Sequence, residues 1–94
     1  MHVDRLIFRL HAVERMFERG IEANDVRQIL TNGETIENYP NDMPFPSCLM
    51  LGWIASRPIH VVVAHNASEQ ETYIITTYEP DLVRWKPGFK ERVK

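Results

Sequence analysis

The run Arg57-Pro58-Ile59-His60-Val61-Val62-Val63-Ala64-His65, followed after residues 66–71 by Thr72-Tyr73-Ile74-Ile75-Thr76-Thr77-Tyr78, decides the fold. Both runs are rich in β-branched and aromatic residues, which suit a pleated, half-buried surface. The short polar segment between them suits a hairpin. A roughly symmetric turn sets His60 opposite Thr76 and puts His60, Thr76 and Tyr78 on one sheet face. Ile59, Val61, Val63 and Ile75 then share the other, an aliphatic face fit to receive helices.

Working outward, Ser47 to Ala55 and Glu34 to Tyr39 read as two more strands. Pro40-Asn41-Asp42-Met43-Pro44-Phe45-Pro46 separates them, a proline-stiffened loop that cannot enter a sheet ladder. Upstream the period changes. Ala12, Val13, Met16 and Phe17 gather on one side of a helical wheel, and His11, Glu14, Arg15, Glu18 and Arg19 on the other, with Gly20 as the stop. A second helix over 23–30 turns Val26, Ile29 and Leu30 inward, with Thr31-Asn32-Gly33 as its stop. Ahead of the first helix, Leu6, Phe8 and Leu10 alternate as in an extended segment. The expected fold is therefore α+β, with two N-terminal helices on one face of a four-stranded antiparallel meander.

The chain has 94 residues, 44% of them hydrophobic and 26% charged, which suits one small core and a single domain over 1–94. Its lone cysteine, Cys48, excludes an intrachain disulfide and reads as a buried thiol. No leader pattern and no membrane-length apolar run is present, so a cytoplasmic protein is expected. The net charge of −2 conceals an asymmetry. Residues 1–30 balance, residues 31–80 sum to −5, and residues 81–94 sum to +3. The basic end, 87–94 above all, reads as a flexible solvated tail or as a contact for phosphate or a partner.

Two groups of residues invite chemistry. His60, Thr76 and Tyr78 bring an imidazole, a hydroxyl and a phenol to one sheet face, with Glu79 just beyond. On the first helix, His11 sits one turn from Arg15 and two from Arg19, a proton carrier beside guanidinium groups that stay charged. The structural alternatives are a solvated helix face laced by i,i+3 and i,i+4 charge pairs and a buried, hydrogen-bonded His60. A metal site from His11, His60 and His65 is not expected, since His60 and His65 fall on opposite parities. No cofactor is expected either.

The segment His11-Ala12-x-x-Arg15-Met16-x-x-Arg19-Gly20-Ile21 resembles the opening signature of a family of small prokaryotic proteins of unknown function. The likeness continues through Gly33-Glu34-x-Ile36-Glu37-x-Tyr39-Pro40, Arg57-Pro58-Ile59-His60-Val61-Val62-Val63-Ala64 and Ile75-Thr76-Thr77-Tyr78-Glu79-Pro80-Asp81, to Trp85. Family members often carry Thr at the position of Arg9. The family is similar to the RelE-like group of metal-independent ribonucleases (barnase, EndoU, colicin nucleases and RelE). That resemblance implies a toxin-like endoribonuclease whose partners are RNA or the ribosome and an antitoxin protein. Metal-free cleavage needs a base for the 2′-OH, a cation for the phosphorane and an acid for the leaving oxygen. His11, Arg15, His60 and Tyr78 are the expected catalytic set, with Arg19, Arg57, Thr76 and Glu79 as substrate contacts. The other expectation is a non-catalytic protein-binding domain of the same fold, favoured by the acidic middle of the chain.

Overall fold

The computed structural model describes residues 5–94, so residues 1–4 of the expected single domain lie outside the described residues. In chain order the elements are β1 (Arg5–Phe8), α1 (Leu10–Arg19), α2 (Ala23–Asn32), β2 (Glu34–Tyr39), β3 (Ser47–Ile54), β4 (Arg57–Asn66) and β5 (Glu71–Tyr78). The fold is α+β, but the sheet has five strands in the order β1-β5-β4-β3-β2. Strands β2 to β5 form the expected antiparallel meander. The four-stranded, all-antiparallel expectation is corrected by β1, which pairs parallel with the free edge of β5, Arg5 to Glu71 through Phe8 to Ile74. The alternation of Leu6 and Phe8 marks the segment as extended, but its pairing depends on an edge some 65 residues away in sequence.

Helix α1 ends where Gly20 takes φ +64, and the Ile21 N–H closes back on the Met16 carbonyl at 2.9 Å. Helix α2 begins with a capping box in which the Glu22 N–H donates to Asp25 at 2.9 Å. Both helices pack on one sheet face. Ala12, Met16, Val26, Ile29 and Leu30 meet Met50, Ile59, Val61, Val63 and Ile74 in one buried cluster. Gly52 makes the closest approach possible: a Cβ there would stand 2.4 Å from Cγ1 of Ile29.

Two expected inward residues of α1 point outward. Val13 and Phe17 are exposed, Phe17 by 90%, whereas Ala12 and Met16 are buried. The apolar arc of the helix is wider than its contact with the sheet. Ile75 is also displaced from its expected face. It is the extra residue of a bulge between Thr76 and Ile74, and Ile74 takes its place opposite Val63.

The last fourteen residues fold back onto the second sheet face. Residues 84–93 form a small hairpin, closed by Lys86 N–H to the Glu91 carbonyl at 2.8 Å and Val93 N–H to the Arg84 carbonyl at 2.8 Å. Gly88, at φ +92, supplies the left-handed residue its turn requires. Trp85 from this hairpin is 98% buried. The acidic middle and the basic end of the chain thus answer each other: Lys90 reaches Glu34 at 2.9 Å, and Arg92 grips Glu37.

Candidate functional site

The helix-free face of the sheet is ordered in rows by the strand register. One row runs Glu34, Leu51, His60, Tyr78; the next runs Glu37, Leu49, Val62, Thr76; a third runs Tyr39, Ser47, Ala64, Tyr73. His60, Thr76 and Tyr78 therefore do share a face, although His60 stands opposite Tyr78 and Thr76 stands opposite Val62. The pairing is offset from symmetry by one residue at the turn and by a second at the Ile75 bulge, so residues 76–78 keep their expected faces while residues 71–74 exchange theirs.

His60 is fully buried, with both ring nitrogens bonded. A carbonyl can only accept, so Nε2–H donates to the Phe89 oxygen at 2.8 Å, and Nδ1 receives the Tyr78 hydroxyl proton at 3.1 Å. Trp85 packs edge-to-face on the imidazole at 4.5 Å. Burial holds the histidine below its ordinary pKa and therefore neutral. Burial likewise raises Tyr78, which keeps its proton.

Beside this pair lies a second group. The Arg92 guanidinium donates through Nε and Nη2 to both Glu37 oxygens at 2.9 and 3.0 Å, and it stacks on Trp85 at 4.6 Å. Tyr39 donates its hydroxyl to the same carboxylate. The bonds from Arg92 hold Glu37 below the usual carboxylate pKa, and burial, with the Glu37 bond second, raises Tyr39. The site thus presents an ionised carboxylate, a fixed cation and two protonated phenols. Among the described residues no three His, Cys, Asp or Glu side chains converge as a metal-binding group.

The remaining expected site residues lie elsewhere. Helix α1 packs by Ala12 and Met16 on the opposite sheet face, so the expected quartet does not line one cleft. His11 is exposed, and Arg15 bonds Glu18 at 3.1 Å on the same helix. Arg57 turns to the helix side, where Nε meets Glu79 at 2.9 Å and Nη2 meets the Arg19 carbonyl at 2.6 Å. Arg57, Glu79 and the end of α1 form a structural knot that ties the helix C-terminus to the sheet. The Arg19 side chain is exposed.

Sequence reasoning missed Glu37, Tyr39 and Arg92. Glu37 and Tyr39 alternate outward along one strand, a signal that was available. Arg92 sits 55 residues away from Glu37, and only the fold-back of the tail brings the two together.

Comparison with known proteins gives one positive finding. The sequence profile of a family described as a domain of unknown function, DUF4258, matches residues 8–79. No curated protein matches the chain, and no solved structure matches it. The match includes Glu37, Tyr39, His60 and Tyr78 and ends before the hairpin that carries Trp85, Phe89 and Arg92.

Proposed function

The chain belongs to the DUF4258 family, and from the site itself we propose that it is a metal-independent endoribonuclease of the RelE-like kind. The observation that carries this reading is the grouping of Glu37, Tyr39, His60, Tyr78 and Arg92 on the helix-free sheet face. Glu37 is the base that takes the 2′-OH proton, and Tyr39 positions it. The 2′-oxygen attacks phosphorus, and the charge that develops on the phosphorane falls to Arg92, whose Nη1 is left over from the grip on Glu37. The P–O5′ bond breaks, the Tyr78 hydroxyl turns its proton from His60 Nδ1 to the departing oxygen, and a 2′,3′-cyclic phosphate remains. His60 acts through Tyr78: its tautomer, locked by the Phe89 carbonyl, holds the phenol in place. The backbones of Glu37 and Tyr78 stand three strand spacings and one row apart, about 16 Å.

His11 and Arg15 have no part in this chemistry, and the tail cations Arg84, Lys86, Lys90 and Arg92 are each paired with a carboxylate, which weakens their hold on a long RNA. The substrate engagement is accordingly short. The test is incubation of purified protein with single-stranded RNA in EDTA. Cleavage to cyclic-phosphate ends, abolished by Glu37→Gln and by Tyr78→Phe, supports the reading; equal cleavage by wild type and both variants rejects it.

A second reading, a non-catalytic protein-binding domain, is favoured by a specific surface. Leu10, Val13 and Phe17 form an i, i+3, i+7 stripe on α1 that is exposed among the described residues, Leu10 by 74%. In a toxin–antitoxin pair this stripe is where an antitoxin would lie. Binding of a co-expressed partner that Phe17→Glu abolishes, with RNA left intact by the free protein, selects this reading.

A further inference from the structure

On the same face, one row beyond the catalytic group, the loop 40–46 roofs a cavity of about 130 Å³ lined by Arg9, Asp42, Phe45, Val62, Tyr73 and Ile75, among others. A drug-sized ligand needs roughly 300 Å³ or more, so this cleft, open on one side, admits no more than one small ring. The walls suit a flat ring. Val62 and Ile75 are aliphatic, and Tyr73 lies parallel to Phe45 with centroids 5.7 Å apart and planes within 2°. Arg9 holds its guanidinium 4.8 Å from the centre of the Tyr73 ring. Opposite, Ser47 donates to Asp42 Oδ2 at 2.5 Å, which leaves Oδ1 with acceptor capacity.

We propose that this cavity is a pyrimidine subsite, with cytosine preferred. A carboxylate oxygen accepts from the exocyclic amine of cytosine and is repelled by the carbonyl that uracil has there. Arg9, at the rim, takes the phosphate of the same nucleotide. The position matches the proposed chemistry: Val62 is two residues from His60 along β4, about 7 Å, so the cavity adjoins the proposed cleavage group. This inference rests on the ribonuclease reading for its substrate, but the subsite is tested without cleavage.

Titration of the full chain with cytidine 3′-monophosphate, uridine 3′-monophosphate, inorganic phosphate and phenylalanine amide is followed by the NMR signals of the Val62 and Ala64 methyl groups. The cytidine nucleotide saturates these shifts most tightly. Arg9→Ala weakens both nucleotides by about tenfold, the scale of one charged hydrogen bond. Asp42→Asn removes the cytidine preference and leaves uridine binding within about twofold, since only the cytosine bond is lost. Absence of saturable nucleotide binding, equal binding of phosphate alone, tighter binding of phenylalanine amide, or a preference untouched by Asp42→Asn overturns the proposal. RNA cleavage without nucleotide binding rejects the subsite and spares the activity; nucleotide binding without cleavage does the reverse.

Discussion

Replacing His60 by Ala removes a side chain that joins the sheet, through Tyr78, to the C-terminal hairpin. The residue has no exposed surface, so its ring leaves a cavity that costs about 2 kcal/mol, at the low end for truncating a large buried side chain. The Tyr78 hydroxyl and the Phe89 carbonyl each lose a partner, adding about 1 kcal/mol apiece. The expected loss is therefore about 4 kcal/mol, or a Tm lower by about 15–30 °C for a domain of this size. Trp85 loses the ring it packs on, so its near-UV signal collapses ahead of the far-UV signal. Acid gives an independent check. With the folded-state pKa of His60 held below the ordinary 6.5, the unfolded chain takes up the proton first. The stability due to neutral His60 is full above pH 6.5 and declines below it, by at most about 1.4 kcal/mol per unit. Urea denaturation of wild type and His60→Ala at pH 7.5 and 5.0 measures both effects. A loss under about 1 kcal/mol, or an acid sensitivity that survives in the variant unchanged, refutes this account of His60.

Gly52→Ala drives a methyl group into Ile29 and lowers stability by about 1–3 kcal/mol in the same denaturation assay. Phe17→Ser leaves Tm of the isolated chain within about 3 °C, because so exposed a ring contributes under about 0.5 kcal/mol. Glu37→Gln costs stability only modestly, about 1 kcal/mol or less, since Arg92 is more than half exposed and solvent screens the pair. It nonetheless removes RNA cleavage by two orders of magnitude or more, about what a positioned general base supplies. Stability and activity thus separate at Glu37, whereas at His60 they fall together.

The helices and the meander were legible because each leaves a periodic trace longer than a turn. The face shared by His60, Thr76 and Tyr78 was legible for the same reason, and it survives because the one-residue offset at the turn and the bulge at Ile75 add up to an even shift. What escaped has physical causes. The alternation of Leu6, Phe8 and Leu10 marked an extended segment, but its parallel pairing with a distant strand leaves no local trace, and the bulge at Ile75 is an insertion that pattern matching cannot locate. Val13 and Phe17 fit the apolar arc of α1, but the sheet covers only part of that arc. The His11–Arg15 pair has plausible chemistry in one dimension and lies on a helix that packs on the wrong side of the sheet. The tail is the fullest case. Its positive charge suggested a free arm, yet the acidic residues of β2 are its complement, and pairing them requires the completed sheet.

The most direct test of the central claim is the nuclease assay in EDTA with end-group analysis, on wild type, Glu37→Gln, Tyr78→Phe and His11→Ala. The account predicts cyclic-phosphate ends from wild type and His11→Ala alike, and none from the two sheet-face variants. Intact RNA with folded wild type, or activity lost in His11→Ala and retained in Glu37→Gln, would contradict it.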